Sequence, residues 1–137
     1  MAVRTIIFRG KRIDNGEWVE GAYMPYYYST RYGKVAAIFT NDDVLCKTCC
    51  YPVDPSTVGQ YTGLKDKNGK RIFEGDIVQA HFRTNHSKQI FRVTFDDGMF
   101  IFNNGYVKLP VRGIYGIKVI GNVHDNPKYM KEGAGNG

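Results

Sequence analysis

The chain has 137 residues, 42% hydrophobic and 14% aromatic, enough to form one compact domain or two small ones without disulfide bonds. No window approaches the roughly 20 apolar residues that a membrane span requires, and the first apolar run is too short for a signal peptide. We therefore expect a soluble cytoplasmic protein with no membrane partner. The formal net charge of +6 attracts polyanions, nucleic acid first among them. The basic residues are spread along the chain, however, and could equally serve solubility alone.

The first half of the chain predicts three strands. The segments TIIFRGKRI and EWVEGAYMPYYYS flank an Asp14-Asn15-Gly16 turn, whose residues suit the positive φ angles of a hairpin. Pro25 has no backbone N–H, so we expect it to bend or end the pairing of the second strand. The segment TRYGKVAAIFT predicts the third strand, after a turn at Tyr32-Gly33.

Residues 46–58 show no clear period of apolar residues. Asp54 as an N-cap and Pro55 at the first helical position predict one short helical turn within this segment. We interpret the segment as the connection between the two halves of the chain.

The second half predicts short strands joined by tight turns, with hairpins at Asp96-Asp97-Gly98 and Asn103-Asn104-Gly105. Apolar and polar residues alternate in DIVQAHF and QIFRVTF, and GIYGIKVIGNV supplies a last strand. This pattern indicates a small antiparallel barrel, followed after Pro127 by a flexible tail. The apolar residues predicted to share one face of each strand are Val78, Ala80 and Phe82, then Phe91, Val93 and Phe95, then Tyr115, Ile117 and Val119.

The stretch QYTGLKDKNGKRIFEGDIV combines turn residues with cations. In the turn at residues 66–69, we expect Asp66 to cap the backbone with its side chain and Gly69 to take a left-handed conformation. The sequence Glu74-Gly75-Asp76 predicts a second bend, with Asp76 bonded to local backbone N–H groups. Neither turn requires the neighbouring cations Lys65, Lys70 and Arg71.

A longer stretch, VGQYTGLKDKNGKRIFEGDIV, resembles the signature of the YopX family of proteins encoded by temperate bacteriophages and prophages. IIFRGKRIDNGEWVEGAY and VIGNVHDNP resemble other landmarks of that family, so the resemblance runs from about Ile6 to Pro127. It implies an N-terminal β-rich subdomain followed by an SH3-like barrel, in a bacterial host cytoplasm. It implies no catalytic or binding residues, because the family has no established activity.

Together, these observations predict a mainly β protein in three parts. Residues 1–58 form an N-terminal β-rich subdomain with its connecting segment, residues 59–126 form an SH3-like small antiparallel barrel, and residues 127–137 form the tail. Small barrels host unrelated functions, so the fold class alone does not select one.

Five aromatic residues crowd the predicted second strand. Tyr and Trp supply large contact areas with a polar group, so the cluster favours a homo-oligomer interface. The alternative is a stacking platform for single-stranded nucleic acid. The five residues are Trp18, Tyr23, Tyr26, Tyr27 and Tyr28.

Several cations could bind anions or nucleic acid along one face of the barrel. They would contact phosphate groups, and the binding would weaken steeply with salt. The candidate binding residues are Lys65, Lys70, Arg71, Arg83, Lys88 and Arg92.

The three cysteines raise the question of a metal. Cys46 and Cys49 have the CxxC spacing of a zinc site, but no second pair follows, so Cys50 and a distant His81, His86 or His124 would have to complete it. We expect free thiols and no metal, and leave zinc shared between subunits as the alternative.

The sequence favours a binding protein over an enzyme. Glu74 and Asp76 share a strand face, but no neighbouring partner positions them for acid–base catalysis, and no cofactor motif is present. We therefore expect a non-enzymatic, self-associating binding or assembly module without a cofactor. The alternative is a nucleic-acid-binding module, and a protein partner also remains open.

Overall fold

The computed structural model describes residues 3–40 and 49–129. The chain divides into two compact units, Met1–Tyr61 and Thr62–Gly137. The described residues form ten strands: β1 (Phe8–Arg12), β2 (Trp18–Ser29), β3 (Gly33–Thr40), β4 (Cys49–Lys65), β5 (Arg71–Phe73), β6 (Asp76–Phe82), β7 (Lys88–Asp96), β8 (Met99–Asn103), β9 (Lys108–Leu109) and β10 (Ile114–Asn122). A 3-10 turn, Val111–Gly113, precedes β10. The prediction of a mainly β, antiparallel fold is therefore confirmed.

The first unit is built from four strands that pair in a circuit. β2 pairs with β1 and β3, and β4 pairs with β3 and also with β1, all antiparallel. Each strand thus finds hydrogen-bond partners on both sides. The circuit surrounds the buried residues Ala36, Ile38 and Val53, against which Phe8, Val19, Tyr23 and Val58 pack.

The predicted helical turn after Asp54 is wrong, because these residues lie within β4. β1 pairs with both sides of the segment: Lys11 lies opposite Asp54, and Arg9 lies opposite Gly59. Residues 55–58 are therefore extra residues that bulge from a continuous strand. The hydroxyl of Thr57 secures the bulge by accepting a hydrogen bond from the Lys11 backbone N–H, at 2.9 Å.

Pro25 bends the pairing of β2 without ending the strand. β2 continues to Ser29, and its register against β3 shifts between Met24 and Tyr27. An irregularity at this position is expected, because proline cannot donate a hydrogen bond to the neighbouring strand.

The second unit contains an antiparallel sheet in the order β10-β6-β7-β8-β9. The last four residues of β4 also belong to this unit, where the end of the strand lies beside β5. The hydroxyl of Thr62 donates to the carbonyl of Ile72 at 2.8 Å. The core consists of Ile72, Val78, Ala80, Phe91, Val93, Phe102 and Ile114, flanked by Leu64, Phe82, Leu109, Val111, Ile117 and Val119.

Two apolar residues of the predicted pattern, Tyr115 and Phe95, are not part of this core. The register of β10 against β6 shifts after Tyr115, so Tyr115 does not share the core-facing side of Ile117 and Val119.

Phe91 and Val93 are buried as predicted, but Phe95 is half exposed. It lies near the β7–β8 turn, where it packs edge-on against Phe100 with ring centroids 5.1 Å apart. The alternation of β7 therefore continues beyond the end of the core.

Both predicted turns of the central stretch are confirmed. Oδ1 of Asp66 accepts hydrogen bonds from the backbone N–H groups of Asn68 and Lys70, each at 2.9 Å, and Gly69 has a φ of +83°. Oδ2 of Asp76 accepts from the backbone N–H of Phe73 at 2.7 Å. Both carboxylates therefore stabilise their turns by accepting hydrogen bonds from backbone N–H groups.

No helix in the part of the chain that the structure describes is long and apolar enough to cross a membrane. The predicted tail falls largely outside the described residues, since residues 130–137 are not among them.

Candidate functional site

Four cations line one cleft of about 440 Å³ in the second unit. They come from three segments of the chain: the turn after β4 supplies Lys65 and Lys67, the β6–β7 hairpin supplies Arg83, and the 3-10 turn supplies Arg112. β10 forms another wall. We call this site the basic cleft, and its lining residues are Lys65, Asp66, Lys67, Arg83, Val111, Arg112, Ile114, Tyr115, Gly116 and Ile117.

Asp66 fastens the first cationic segment to β10. Its Oδ2 accepts a hydrogen bond from the Val119 backbone N–H at 3.0 Å, and the Lys67 backbone N–H donates to the Ile117 carbonyl at 2.9 Å. Burial raises the pKa of this carboxyl. The hydrogen bonds from the backbone N–H groups of Val119, Lys70 and Asn68 together lower the pKa by more than burial raises it, so it lies below its usual value. Asp66 is thus an ionised anchor that is already bonded to the backbone.

Arg83 is positioned by the 3-10 turn. Its backbone N–H donates to the Gly113 carbonyl at 3.0 Å, and its side-chain Nε donates to the Arg112 carbonyl at 3.0 Å. A guanidinium has five N–H donors, and the Nε bond uses one of them. The two Nη groups carry the other four, in a planar fork that suits phosphate or carboxylate oxygens.

Tyr115 provides an aromatic wall of the basic cleft, with the guanidinium of Arg83 5.7 Å from its ring centroid. Its ring stacks on His81, with centroids 5.2 Å apart, and its hydroxyl lies 2.9 Å from Nδ1 of His86. Nδ1 of His81 is buried and has no hydrogen-bond partner within residues 3–40 and 49–129. Stacking against Tyr115 therefore helps to hold this imidazole ring in place.

A second cleft, of about 490 Å³, shares Arg83 and Arg112 with the basic cleft. Phe82, Val107 and Leu109 make it largely apolar. We call it the apolar cleft, and its lining residues are Phe82, Arg83, Thr84, Asn85, Val107, Leu109, Arg112 and Gly113.

The structure brings together two of the six predicted binding residues. Lys65 and Arg83 both line the basic cleft. The others, Lys70, Arg71, Lys88 and Arg92, line neither cleft.

Three residues of the basic cleft, Lys67, Arg112 and Tyr115, are not among the six predicted binding residues. Lys67 does give a signal in the sequence, because it lies inside the predicted turn between the candidates Lys65 and Lys70. Arg112 gives no such signal, because it stands alone between apolar residues, and only the 3-10 turn places it beside Arg83. Tyr115 reaches the site through the pairing of β10 with β6, in which it lies opposite His81.

The predicted aromatic cluster divides into inward and outward residues. Tyr23 packs against the core of the first unit, and Tyr27 lies edge-on to Phe39 at 5.4 Å. The Trp18 ring has the guanidinium of Arg9 at 4.7 Å and the ammonium of Lys11 at 5.7 Å. Trp18, Tyr23 and Tyr27 thus pack against other residues of the first unit.

Tyr26 and Tyr28 point outward from β2 and are 72% and 80% exposed. Met24, two residues earlier, is also exposed, and the ammonium of Lys34 lies 4.9 Å from the Tyr26 ring. We call Met24, Tyr26 and Tyr28 the tyrosine row.

The cysteines show no metal site within the described residues. Cys49 and Cys50 are free thiols in β4, whereas Cys46 lies outside those residues. No group of three His, Cys, Asp or Glu side chains in residues 3–40 and 49–129 could hold a metal ion. Burial raises the pKa of the Cys50 thiol, and a hydrogen bond from Tyr27 lowers it by less.

The YopX protein family matches residues 7–131, nearly the whole chain. The chain belongs to the YopX family. A comparison with curated proteins found no match.

The fold is also similar to that of a solved bacterial protein. The crystal structure of protein EF1440 from Enterococcus faecalis superposes with a TM-score of 0.55, over 93% of this chain and 99% of that chain. The two sequences are 24% identical, so the likeness concerns the fold alone.

Proposed function

We propose that this YopX-family protein is a non-enzymatic binding module whose second unit binds nucleic acid in the basic cleft. The observation that supports this most directly is the convergence of Lys65, Lys67, Arg83 and Arg112 on one cleft. These residues are up to 47 positions apart in the sequence, so the fold concentrates charge that the sequence distributes. The net charge of +6 adds a long-range attraction for polyanions.

The positive charges that line the basic cleft outnumber the negative charges of its own lining residues. Asp66 is the one carboxylate among its lining residues, and both of its oxygens accept backbone hydrogen bonds. Four cations exceed what one carboxylate ligand would neutralise. A phosphodiester backbone, with one charge per nucleotide, suits this excess.

The chemistry of the cleft favours binding over catalysis. Asp66 is held ionised by backbone N–H groups, which suits it poorly to proton transfer near neutral pH. His86, at the edge of Tyr115, is already within hydrogen-bond distance of the phenol. These contacts support a site that recognises charge and shape.

A matched pair of arginine variants tests the proposal. Arg112→Ala removes a cation from the basic cleft but keeps the backbone carbonyl that holds Arg83, whereas Arg92→Ala removes an exposed arginine outside both clefts. With a fluorescent oligonucleotide at low salt, we expect Arg112→Ala to weaken binding about three- to tenfold, as for the loss of one hydrogen-bonded cation contact. Arg92→Ala should bind nearly as well as the parent protein. Equal effects of the two variants, or no binding at low salt, would overturn the proposal.

A second candidate function is self-association, which the tyrosine row supports. Tyr26 and Tyr28 present large aromatic surfaces on one strand face, with Lys34 beside them. Aromatic residues of this kind are enriched at protein interfaces. We propose that homo-oligomers form through this row, with the charged clefts of the second unit left accessible.

Sedimentation tests the self-association directly. The parent protein should sediment as an oligomer at micromolar concentration, and the double variant Tyr26→Ser/Tyr28→Ser as a monomer. Because both side chains are exposed in the single chain, the variant should keep the circular dichroism spectrum of the parent. A monomeric parent protein would refute this candidate.

We further propose that the second unit is an SH3-like barrel in a phage- or prophage-encoded protein of the bacterial cytoplasm. The sheet order supports the barrel, since β10 pairs with β6 and follows a 3-10 turn, as in SH3-like domains. Membership of the YopX family supports the phage setting.

A further inference from the structure

The basic cleft and the apolar cleft share two arginines. Arg83 and Arg112 line both clefts, so a ligand bound to these guanidinium groups has cations on one side and an apolar cleft on the other. The two volumes are similar, about 440 and 490 Å³. This juxtaposition suits a ligand that alternates anionic and apolar groups.

The apolar cleft has fixed walls. Phe82 packs edge-on against the buried Phe91, with centroids 5.6 Å apart. On the opposite strand pair, Oδ1 of Asn104 accepts hydrogen bonds from the backbone N–H groups of Tyr106 and Val107, at 2.9 and 2.8 Å. These bonds set the turn that presents Val107, whose side chain remains 40% exposed. The cleft therefore offers a preformed surface with unburied apolar area.

The polar rim of the apolar cleft lies on the β6–β7 hairpin. Thr84 and Asn85 line it beside Arg83. Oδ1 of Asn85 accepts from the backbone N–H and the hydroxyl of Ser87, at 3.0 and 2.9 Å. An amide also carries an NH₂ group with two donors, which the ring acceptors of a base can engage. The rim thus suits a flat group with an apolar face and polar edges.

We infer that the second unit binds single-stranded nucleic acid, with phosphates in the basic cleft and a base in the apolar cleft. This inference rests on the proposed function and specifies its ligand. Unpaired bases present a face and an edge beside each phosphate, whereas a duplex encloses the base faces in its stack. A duplex can therefore use the basic cleft alone.

An acidic peptide with an apolar side chain is the competing ligand. Two features favour nucleic acid: the excess of four cations over one bonded carboxylate, and arginine forks at the boundary, which match phosphate geometry. A peptide of this kind is therefore included as a competitor in the test.

A neutral substitution separates the two clefts. Val107→Ser removes apolar surface from the apolar cleft without changing charge, and Val3→Ser is the matched control at a valine that is 96% exposed. Binding is measured by fluorescence anisotropy with a labelled single strand, a duplex of the same length and a glutamate-rich peptide containing phenylalanine. Circular dichroism verifies that each variant folds.

We expect the single strand to bind more tightly than the duplex. Val107→Ser should weaken single-strand binding about threefold or more, with little effect on the duplex, because only unpaired bases bury apolar area there. Arg112→Ala should reduce the salt dependence of single-strand binding by about 0.7 in log–log slope, the contribution of one phosphate contact. Val3→Ser should leave both ligands unchanged.

Other results overturn the inference in distinguishable ways. Equal binding of single strand and duplex, with Arg112→Ala weakening both and Val107→Ser neither, refutes the inference but leaves the proposed function standing. Tighter binding of the peptide, with displacement of the oligonucleotide, refutes the choice of ligand. No binding of either oligonucleotide at low salt refutes the proposed function itself.

Discussion

The carboxylate of Asp66 accepts a hydrogen bond from the backbone N–H of Val119, 3.0 Å away and 53 residues further along the chain. The same carboxylate caps its own turn through Asn68 and Lys70. One side chain thus shapes the turn that carries Lys65 and Lys67 and joins that turn to β10. The basic cleft depends on this connection, because β10 carries Tyr115.

We predict that Asp66→Asn destabilises the protein by about 1–3 kcal/mol at neutral pH, the range for losing hydrogen bonds to a buried charged acceptor. Asn keeps one carbonyl oxygen but places an NH₂ group against backbone donors. Urea denaturation measures the effect. Asp97→Asn, the same change at an exposed turn residue, serves as the control and should be nearly neutral.

The effect of Asp66→Asn should depend on pH. The pKa of Asp66 is lower in the folded protein than in the unfolded chain, where it is about 3.9. Asp66 therefore contributes its full stabilisation of the fold when the pH is above that unfolded value. This stabilisation is lost as the pH falls through the folded pKa. The difference between parent and variant should therefore shrink as unfolding is measured at progressively more acidic pH. A difference that stays constant down to pH values below the folded pKa would contradict this role.

Local sequence patterns predicted the turn at Asp66 but not its connection to Val119. The capping of the Asn68 and Lys70 N–H groups follows from residues within four positions, whereas the bond to β10 arises only when distant strands meet. The same reason explains the basic cleft: Lys65 and Arg83 were candidates as cations, but their proximity to Arg112 depends on tertiary structure. The predicted helical start at Pro55 was wrong for a related reason, since the residues on either side, Asp54 and Gly59, pair with β1 and outweigh the local preference.

We predict that Asp76→Ala is strongly destabilising. The Asp76 side chain is fully buried, and its Oδ2 accepts from the Phe73 backbone N–H at 2.7 Å. Removing the acceptor leaves a buried donor unsatisfied, which costs about 1–3 kcal/mol. Asp76→Asn retains an acceptor oxygen and should lose less stability. If urea denaturation shows equal losses for both variants, the hydrogen bond to Phe73 is not the reason for the effect.

We predict that Cys50 reacts slowly with iodoacetamide in the folded protein. Burial raises the pKa of its thiol, so the reactive thiolate is scarce at neutral pH. The same proton opposes zinc binding, which requires a thiolate. Mass spectrometry of the peptide that contains Cys50 gives the alkylation rate, with the urea-unfolded protein as the reference. Equal rates in the folded and unfolded proteins would show that burial does not protect the thiol.

The last prediction concerns Gly116, which has a φ of +64° and lies beside His81 in the wall of the basic cleft. A Cβ added at this position would lie 3.3 Å from Nδ1 of His81. Gly116→Ala therefore combines backbone strain with a tight steric contact against the imidazole ring. Gly98→Ala is the matched control, because φ there is +75° but a Cβ would meet no atom within 4 Å. Each variant should lose about 1–2 kcal/mol of stability from the left-handed backbone. Only Gly116→Ala should also weaken oligonucleotide binding, because His81 stacks on Tyr115 and its displacement moves that ring. Equal binding by both variants would show that Tyr115 does not need this support.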